Sequence, residues 1–296
     1  MGRVEQALKR AGQPTTLAPV HQRPEPPEPL GAPADPFSMD FYPDELHAPV
    51  APAPMTSAAD SMIATPEIID GDFAPSFSDA YKDKVITSAK VPRTTVEQYR
   101  RLAASLHHLQ TEQGLRSLTV TSSIPQEGKT LTIVNLAMTL SESYKRRVLL
   151  VDADLRRPSI HEVFGVAAGR GLCEALRSSP GDIVPLVHAS PRLSVLPAGS
   201  PKGDPMTALA SPRMAELLEE AAADFDWVLL DAPPVALMAD AGLLVRLTRA
   251  VILVIGAGST PYTVVQRVVT EVGRENIVGT VLNRAEAVSG ALSPYY

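Results

Sequence analysis

Between residues 118 and 131 an apolar stretch, Leu118–Thr121, runs through Ser-Ser-Ile-Pro-Gln-Glu-Gly into Lys129-Thr130. Leu131, Val134, Asn135 and Met138 then recur at helical spacing. A strand that turns tightly into a helix start lines up successive backbone N–H groups and aims the positive end of the helix dipole at the same point. The chemistry this suits is the grip of a phosphate. The run matches Gly-x4-Gly-Lys-Thr except that Ser123 stands where the first glycine is usual. In such a loop Lys129 reaches the terminal phosphates and the Thr130 hydroxyl holds Mg²⁺. Ser123, Gln126, Glu127, Gly128, Lys129, Thr130 and Leu131 are therefore the expected nucleotide-contacting residues.

Two more apolar runs end in carboxylates. One is Val148-Leu-Leu-Val-Asp152-Ala-Asp154-Leu-Arg156-Arg157-Pro158, the other Trp227-Val-Leu-Leu-Asp231-Ala-Pro-Pro234. In open α/β sheets the carboxyl ends of the strands are where ligands bind. Asp152 and Asp154 could there serve a metal and a proton acceptor together. Asp231 is placed to order the water shell of a bound Mg²⁺.

The elements that must position these groups are legible as six short apolar runs, Leu118–Thr121, Val148–Val151, Leu193–Leu196, Val228–Leu230, Val251–Ile255 and Val278–Leu282. Helical patterns such as Met214, Leu217, Leu218, Ala221 and Phe225 separate most of them. Continuous apolar strands joined by helices imply a mostly parallel sheet covered on both faces, an α/β domain. Thr94-Thr-Val-Glu97 has capping-box spacing and opens a helix expected to end near Gly114. Twelve of the 28 prolines fall in the first 60 residues, which suits an extended tether rather than a core. Val4, Leu8 and Ala11 suggest a short docking helix at its start. The expected organisation is a tether over 1–90, a P-loop domain over 91–284 and a tail over 285–296.

Composition narrows the function classes. Residues 1–90 hold 7 Lys/Arg against 13 Asp/Glu and the remainder holds 20 of each, so the domain is neutral and offers no broad footprint for nucleic acid. The single Cys173, expected in a buried helix, excludes a disulfide framework. His107 and His108 lack partners at ligand spacing. No apolar run nears the roughly 18 residues of a bilayer span, and the first residues do not read as a secretory signal. A cytoplasmic protein is the expectation.

The three motifs, in this order and spacing, resemble the bacterial tyrosine kinases of the polysaccharide co-polymerase system, the capsular and exopolysaccharide autokinases. The resemblance covers about residues 92–296, with Asp152–Pro158 its most specific piece. It implies a P-loop ATPase fold that transfers the γ-phosphate of ATP, with Mg²⁺, to tyrosine. No Gly-rich kinase loop, His-Arg-Asp or Asp-Phe-Gly pattern of the eukaryotic type occurs. By the resemblance Lys129 and Thr130 serve phosphate and Mg²⁺, Asp152 and Asp154 form the Walker A′ motif, and Asp231 belongs to Walker B. Thr130, Asp152 and Asp231 would then lie on the metal side, Arg156 would neutralise the transferred group, and Asp154 is the candidate base, with Asp152 as the alternative. Asn283 matches an adenine-contacting position.

Related partition and septum-positioning ATPases carry a signature lysine where this chain has Ile124, which favours the kinase branch; a nucleotide-dependent switch or scaffold is the alternative function. The family's Glu-x2-Arg-x2-Arg oligomerisation motif is kept at Glu97 and Arg100 but has Ala103 in the last place. The implied phosphoacceptors are Tyr295 and Tyr296, on a tail able to span at most ~45 Å to a neighbouring subunit. Tyr42, Tyr81, Tyr99, Tyr144 and Tyr262 are alternative acceptors. The implied partners are a transmembrane polysaccharide co-polymerase or chain-length regulator, further copies of the chain and a tyrosine phosphatase. The implied place is the inner face of the cell membrane.

Overall fold

The computed structural model describes residues 77–179, 182, 184 and 186–285. The expected docking helix, the tether over 1–76, Tyr42 and the tail with Tyr295 and Tyr296 lie outside the described residues. Along the chain come α1 (Arg93–Gln113), β1 (Ser117–Ser122), α2 (Lys129–Glu142), β2 (Val148–Asp152), the single turns α3 (Ile160–Val163) and α4 (Leu172–Ala175), β3 (Val187–Ser190) and β4 (Leu193–Leu196). They are followed by α5 (Pro205–Leu209), α6 (Pro212–Asp224), β5 (Trp227–Asp231), α7 (Ala239–Thr248), β6 (Val251–Gly256), α8 (Tyr262–Val272) and β7 (Ile277–Asn283). The strands form one sheet in the order β3-β4-β2-β5-β1-β6-β7. All neighbouring pairs are parallel except β3 with β4.

Both faces of the central strands are buried, which is why these strands read as continuous apolar runs. Alternate residues of β2 and β5 serve opposite faces. Val148, Leu150 and Leu229 join one core with Leu106 of α1 and Ile133, Leu136 and Leu140 of α2. Leu149, Val151, Val228 and Leu230 join the other with Met214, Leu217 and Leu218 of α6. Each such leucine or valine contributes roughly 1.5–3 kcal/mol on leaving water. From β1 the chain crosses over α2 to β2, runs out to the edge strand β3, turns back through β4 beside β2, and returns to insert β5 between β2 and β1. It then continues to β6 and β7 on the other side. The direction of winding therefore reverses at β1, and the crevice outside the carboxyl ends there is where such sheets take ligands. The register sets Asp231 opposite Val120 on one side and Asp152 on the other.

Three features differ from the sequence reading. A seventh strand, β3, pairs antiparallel with β4; its Val-His-Ala-Ser has no apolar run to announce it. Helix α1 starts at Arg93 behind Pro92 with no side-chain cap, and Glu97 pairs with Arg100 at 3.2 Å instead of closing a capping box. Residues 77–90, assigned to the tether by position, pack on the domain. Val85 is 1% exposed, and the Phe77 ring lies 5.3 Å from that of Phe164. The dense prolines stop before this segment, and Phe77, Tyr81 and Val85 recur every four residues, enough to hold one apolar side against the core.

Asn135 on α2 staples that segment. Its Oδ1 accepts from Ile86 N at 3.0 Å and its Nδ2 donates to Lys84 O at 3.3 Å. Changing Asn135 to Ala leaves both backbone groups unpaired, and should cost roughly 1–3 kcal/mol in urea unfolding. Hydrogen exchange at the Ile86 amide should rise by more than the global loss explains.

Candidate active site

The loop leaving β1 is held in a shape that few residue types accept. Gly128, just before α2, has φ +92° and Gln126 has φ +66°. The positive φ of Gly128 favours glycine, and a Cβ there would displace the side-chain amide of Asn283. The first N–H groups of α2 have no partner within the helix. Ser123 is fully buried, and its hydroxyl meets no partner among the described residues.

Lys129, Thr130 and the carboxylates of two strand ends converge beside that loop. The Lys129 ammonium is 2.9 Å from Asp154 Oδ2 and 3.2 Å from Asp231 Oδ1. The Thr130 hydroxyl donates to Asp231 Oδ2 at 2.6 Å and lies 3.0 Å from the Ser159 hydroxyl. Asp152 Oδ2 accepts from the backbone N–H groups of Ser159 at 3.0 Å and Ile160 at 2.9 Å. Its Oδ1 is buried and unpartnered among the described residues. Asp154 Oδ1 accepts from Arg157 N at 3.1 Å.

Exposures of Asp152, Asp154 and Asp231 are 0%, 3% and 0%. Three carboxylates therefore face one ammonium away from water. Burial, then the charge of Asp231, pushes the Asp152 carboxyl up to about 7. Burial also raises Asp231, against the pull of Lys129. Burial works against the charge of Lys129, yet Asp231 and Asp154 outweigh it and hold the ammonium protonated.

An excess of negative charge with an orphaned carboxylate oxygen beside a hydroxyl fits a hard divalent cation. Among the described residues no group of three or more His, Cys, Asp or Glu is arranged to hold a metal by protein alone. Mg²⁺ at phosphate sites needs only one or two carboxylates, the remainder coming from water and substrate. Asp152, Asp231 and Thr130 are the side chains that would hold it.

Other expected site residues point elsewhere. The Arg156 guanidinium is engaged by Asp240, with Nε at 2.5 Å and Nη2 at 3.3 Å, and by Asp204 at 3.8 Å. Leu131 packs against the core. The Glu127 carboxylate turns into the protein toward Ile124, Gly256 and Thr260. Asn283 Nδ2 donates to Glu127 O at 2.7 Å. Ser159, Asp240 and Thr260 escaped the sequence reading; only Ser159, directly after Pro158 and ahead of a helical turn, carried a local signal.

A carboxyl whose pKa is higher in the folded than in the unfolded chain contributes stability below its unfolded value, and that contribution is lost as pH rises through the folded value. For Asp152 the window runs from about 4 to about 7. The ligand-free fold in metal-free buffer should therefore be less stable at pH 8 than at pH 5. The full contribution of this group is on the order of 4 kcal/mol. Urea midpoints should show this slope in the wild type and a flatter one in Asp152→Asn.

No protein-family model matches the chain. Individual proteins do. The tyrosine-protein kinase YwqD of Bacillus subtilis is 35% identical over 178 residues, 60% of this chain and 74% of that protein. The succinoglycan biosynthesis transport protein ExoP of Rhizobium meliloti is 31% identical over 204 residues, 66% of this chain but only 26% of its own length. Among solved structures, the kinase domain of the Escherichia coli tyrosine kinase ETK aligns with a TM-score of 0.59 and 30% identity, covering 66% of this chain and 79% of that one. With that degree of identity over most of YwqD, and a similar fold in a solved kinase domain, the chain belongs to the bacterial tyrosine-protein kinases.

Proposed function

We propose that the chain binds ATP with Mg²⁺ at residues 123–131 and transfers the γ-phosphoryl group to tyrosine, first of all to Tyr295 and Tyr296 of another copy. The observation that carries this reading is the convergence of Lys129, Thr130 and three dry carboxylates at a helix N-terminus. A triphosphate arriving there competes for Lys129, which must leave Asp154 and Asp231 to reach it. Its departure frees Asp154 Oδ2, while Asp154 Oδ1 stays fixed on Arg157 N and keeps the carboxylate aimed. That oxygen is then free to accept the proton of an attacking phenol, whose ordinary pKa near 10 leaves it protonated at neutral pH. Bound Mg²⁺ supplies neutralisation of charge on the phosphate oxygens.

Arg156 contributes to this reading through Asp240, which ties the loop after β2 to the start of α7, rather than through a phosphate. Among the described tyrosines Tyr99 is largely buried, and desolvation raises its phenol, whereas Tyr262 is 72% exposed. Tyr262 therefore remains the better alternative to the tail pair. Among the described residues no helix is long and apolar enough to cross a membrane. Action at the inner face of the cell membrane would then come through a transmembrane polysaccharide co-polymerase, with a tyrosine phosphatase reversing the modification. Self-association would use the exposed Arg100 and the partly buried Glu97. Ala103, in the place of the motif's second arginine, is buried and takes no part.

Incubation with radiolabelled ATP and Mg²⁺ should label the wild type. Lys129→Met should reduce incorporation about 100-fold or more, and Tyr295→Phe with Tyr296→Phe should remove most of the label. Label that survives the double change places the acceptor elsewhere. An unlabelled wild type, with nucleotide still hydrolysed, leaves the switch or scaffold function.

A further inference from the structure

Glu127 sits in the middle of the phosphate loop, yet its side chain is 2% exposed and points away from the concave side. Its Oε2 accepts from Ile124 N at 2.8 Å, closing the loop on itself. Its Oε1 accepts from Gly256 N at 2.8 Å, at the carboxyl end of β6, and from the Thr260 hydroxyl four residues on. The backbone carbonyl of the same residue accepts from Asn283 Nδ2 at 2.7 Å, at the carboxyl end of β7. Asn283 Oδ1 in turn accepts from Arg284 N at 2.9 Å. Both ends of the Asn283 amide are thus engaged by protein, and the amide fills the space that a side chain on Gly128 would need.

From this geometry we infer that Glu127 and Asn283 are positioning residues: a latch that holds the phosphate loop in its binding shape from behind, with neither side chain reading the nucleotide. The inference rests on the ATP-binding function proposed for this loop. Its physical basis is that a loop containing Gln126 at positive φ keeps that conformation only where its surroundings over-determine it. A buried carboxylate taking three donors from two separate segments is such a restraint, since hydrogen bonds to an ionised acceptor are short and strong. Without the latch the competent loop is one conformer among several. Apparent affinity then falls in proportion to its population, while chemistry in the bound state is unchanged.

Calorimetric titration with ATP, GTP and inorganic tripolyphosphate, each with Mg²⁺, separates a latch from a base reader. Asn283→Ala and the nearly isosteric Asn283→Asp each lose the donor. Both should weaken all three ligands by the same factor, roughly three- to tenfold. Glu127→Ala should weaken them by about tenfold or more, with KM for ATP raised and kcat at saturating ATP retained. Exchange at the Ile124 and Gly256 amides should quicken in Glu127→Ala, and at Gly256 more modestly in Thr260→Val, which folds with one donor fewer. A loss confined to ATP, with tripolyphosphate unaffected, would make Asn283 a base contact and overturn the latch. So would unchanged affinities, or a fall in kcat at constant KM. A wild type that binds none of the three removes the proposed ATP-binding function instead, and the amide exchange then decides the latch alone.

Discussion

A single ammonium, that of Lys129, lies between two buried carboxylates with a third beside them, and much of the molecule is arranged around that imbalance. Buried ion pairs seldom add net stability, because desolvation offsets the attraction. Here burial first, and the charge of Asp231 second, drive the Asp152 carboxyl up to about 7. The site weakens the fold that carries it, so stability has to come from the two apolar layers on either side of β2, β5 and β1. Those layers are dense because each central strand buries both its faces.

The carboxylates are fixed by a division of labour between their oxygens. Asp152 gives one oxygen to the N–H groups that open α3 and leaves the other in the cleft. Asp154 gives one to Arg157 N and turns the other to Lys129. Asp231 meets Lys129 with one and Thr130 with the other. The loop from Ala153 to Ser159 therefore has to fold as a unit for either of its acids to be aimed. Arg156 pairs with Asp240 on α7 and so ties that loop to the neighbouring helix.

The convergence of Lys129, Thr130 and the strand-end acids was legible in sequence because each motif is local. A phosphate loop is written in eight adjacent residues, and a strand-end acid follows directly from the apolar run that precedes it. Six of the seven strands were legible as short runs rich in Val, Ile and Leu; burial on both faces accounts for the central ones, whereas β7, at the sheet edge, keeps its apolar run while only partly covered. What escaped depends on partners far along the chain. Glu127 meets Thr260 across 133 positions and Arg156 meets Asp240 across 84. No spacing rule announces such pairs, so Glu127 reads as a nucleotide contact and Arg156 as a phosphate ligand. Strand β3 escaped because an edge strand needs little apolar surface. The packed segment 77–90 was hidden by the proline-rich residues before it.

Charge limits what can enter the cleft. A triphosphate brings several negative charges to an edge where acids already outnumber cations, and Lys129 cannot pair with phosphate and carboxylates at once. Lys129 leaving for the phosphate would strand Asp231, whose remaining partner is the neutral Thr130 hydroxyl. Nucleotide without a cation is thus opposed twice, by repulsion from the acids and by the buried charge uncovered behind the lysine. On the proposed function, nucleotide and divalent cation would therefore bind together. Because burial raises the Asp152 carboxyl to about 7, joint binding at or below that pH should expel its proton. Proton release would distinguish occupation of this carboxylate edge from adsorption of nucleotide elsewhere on the surface, where no raised carboxyl waits to be discharged.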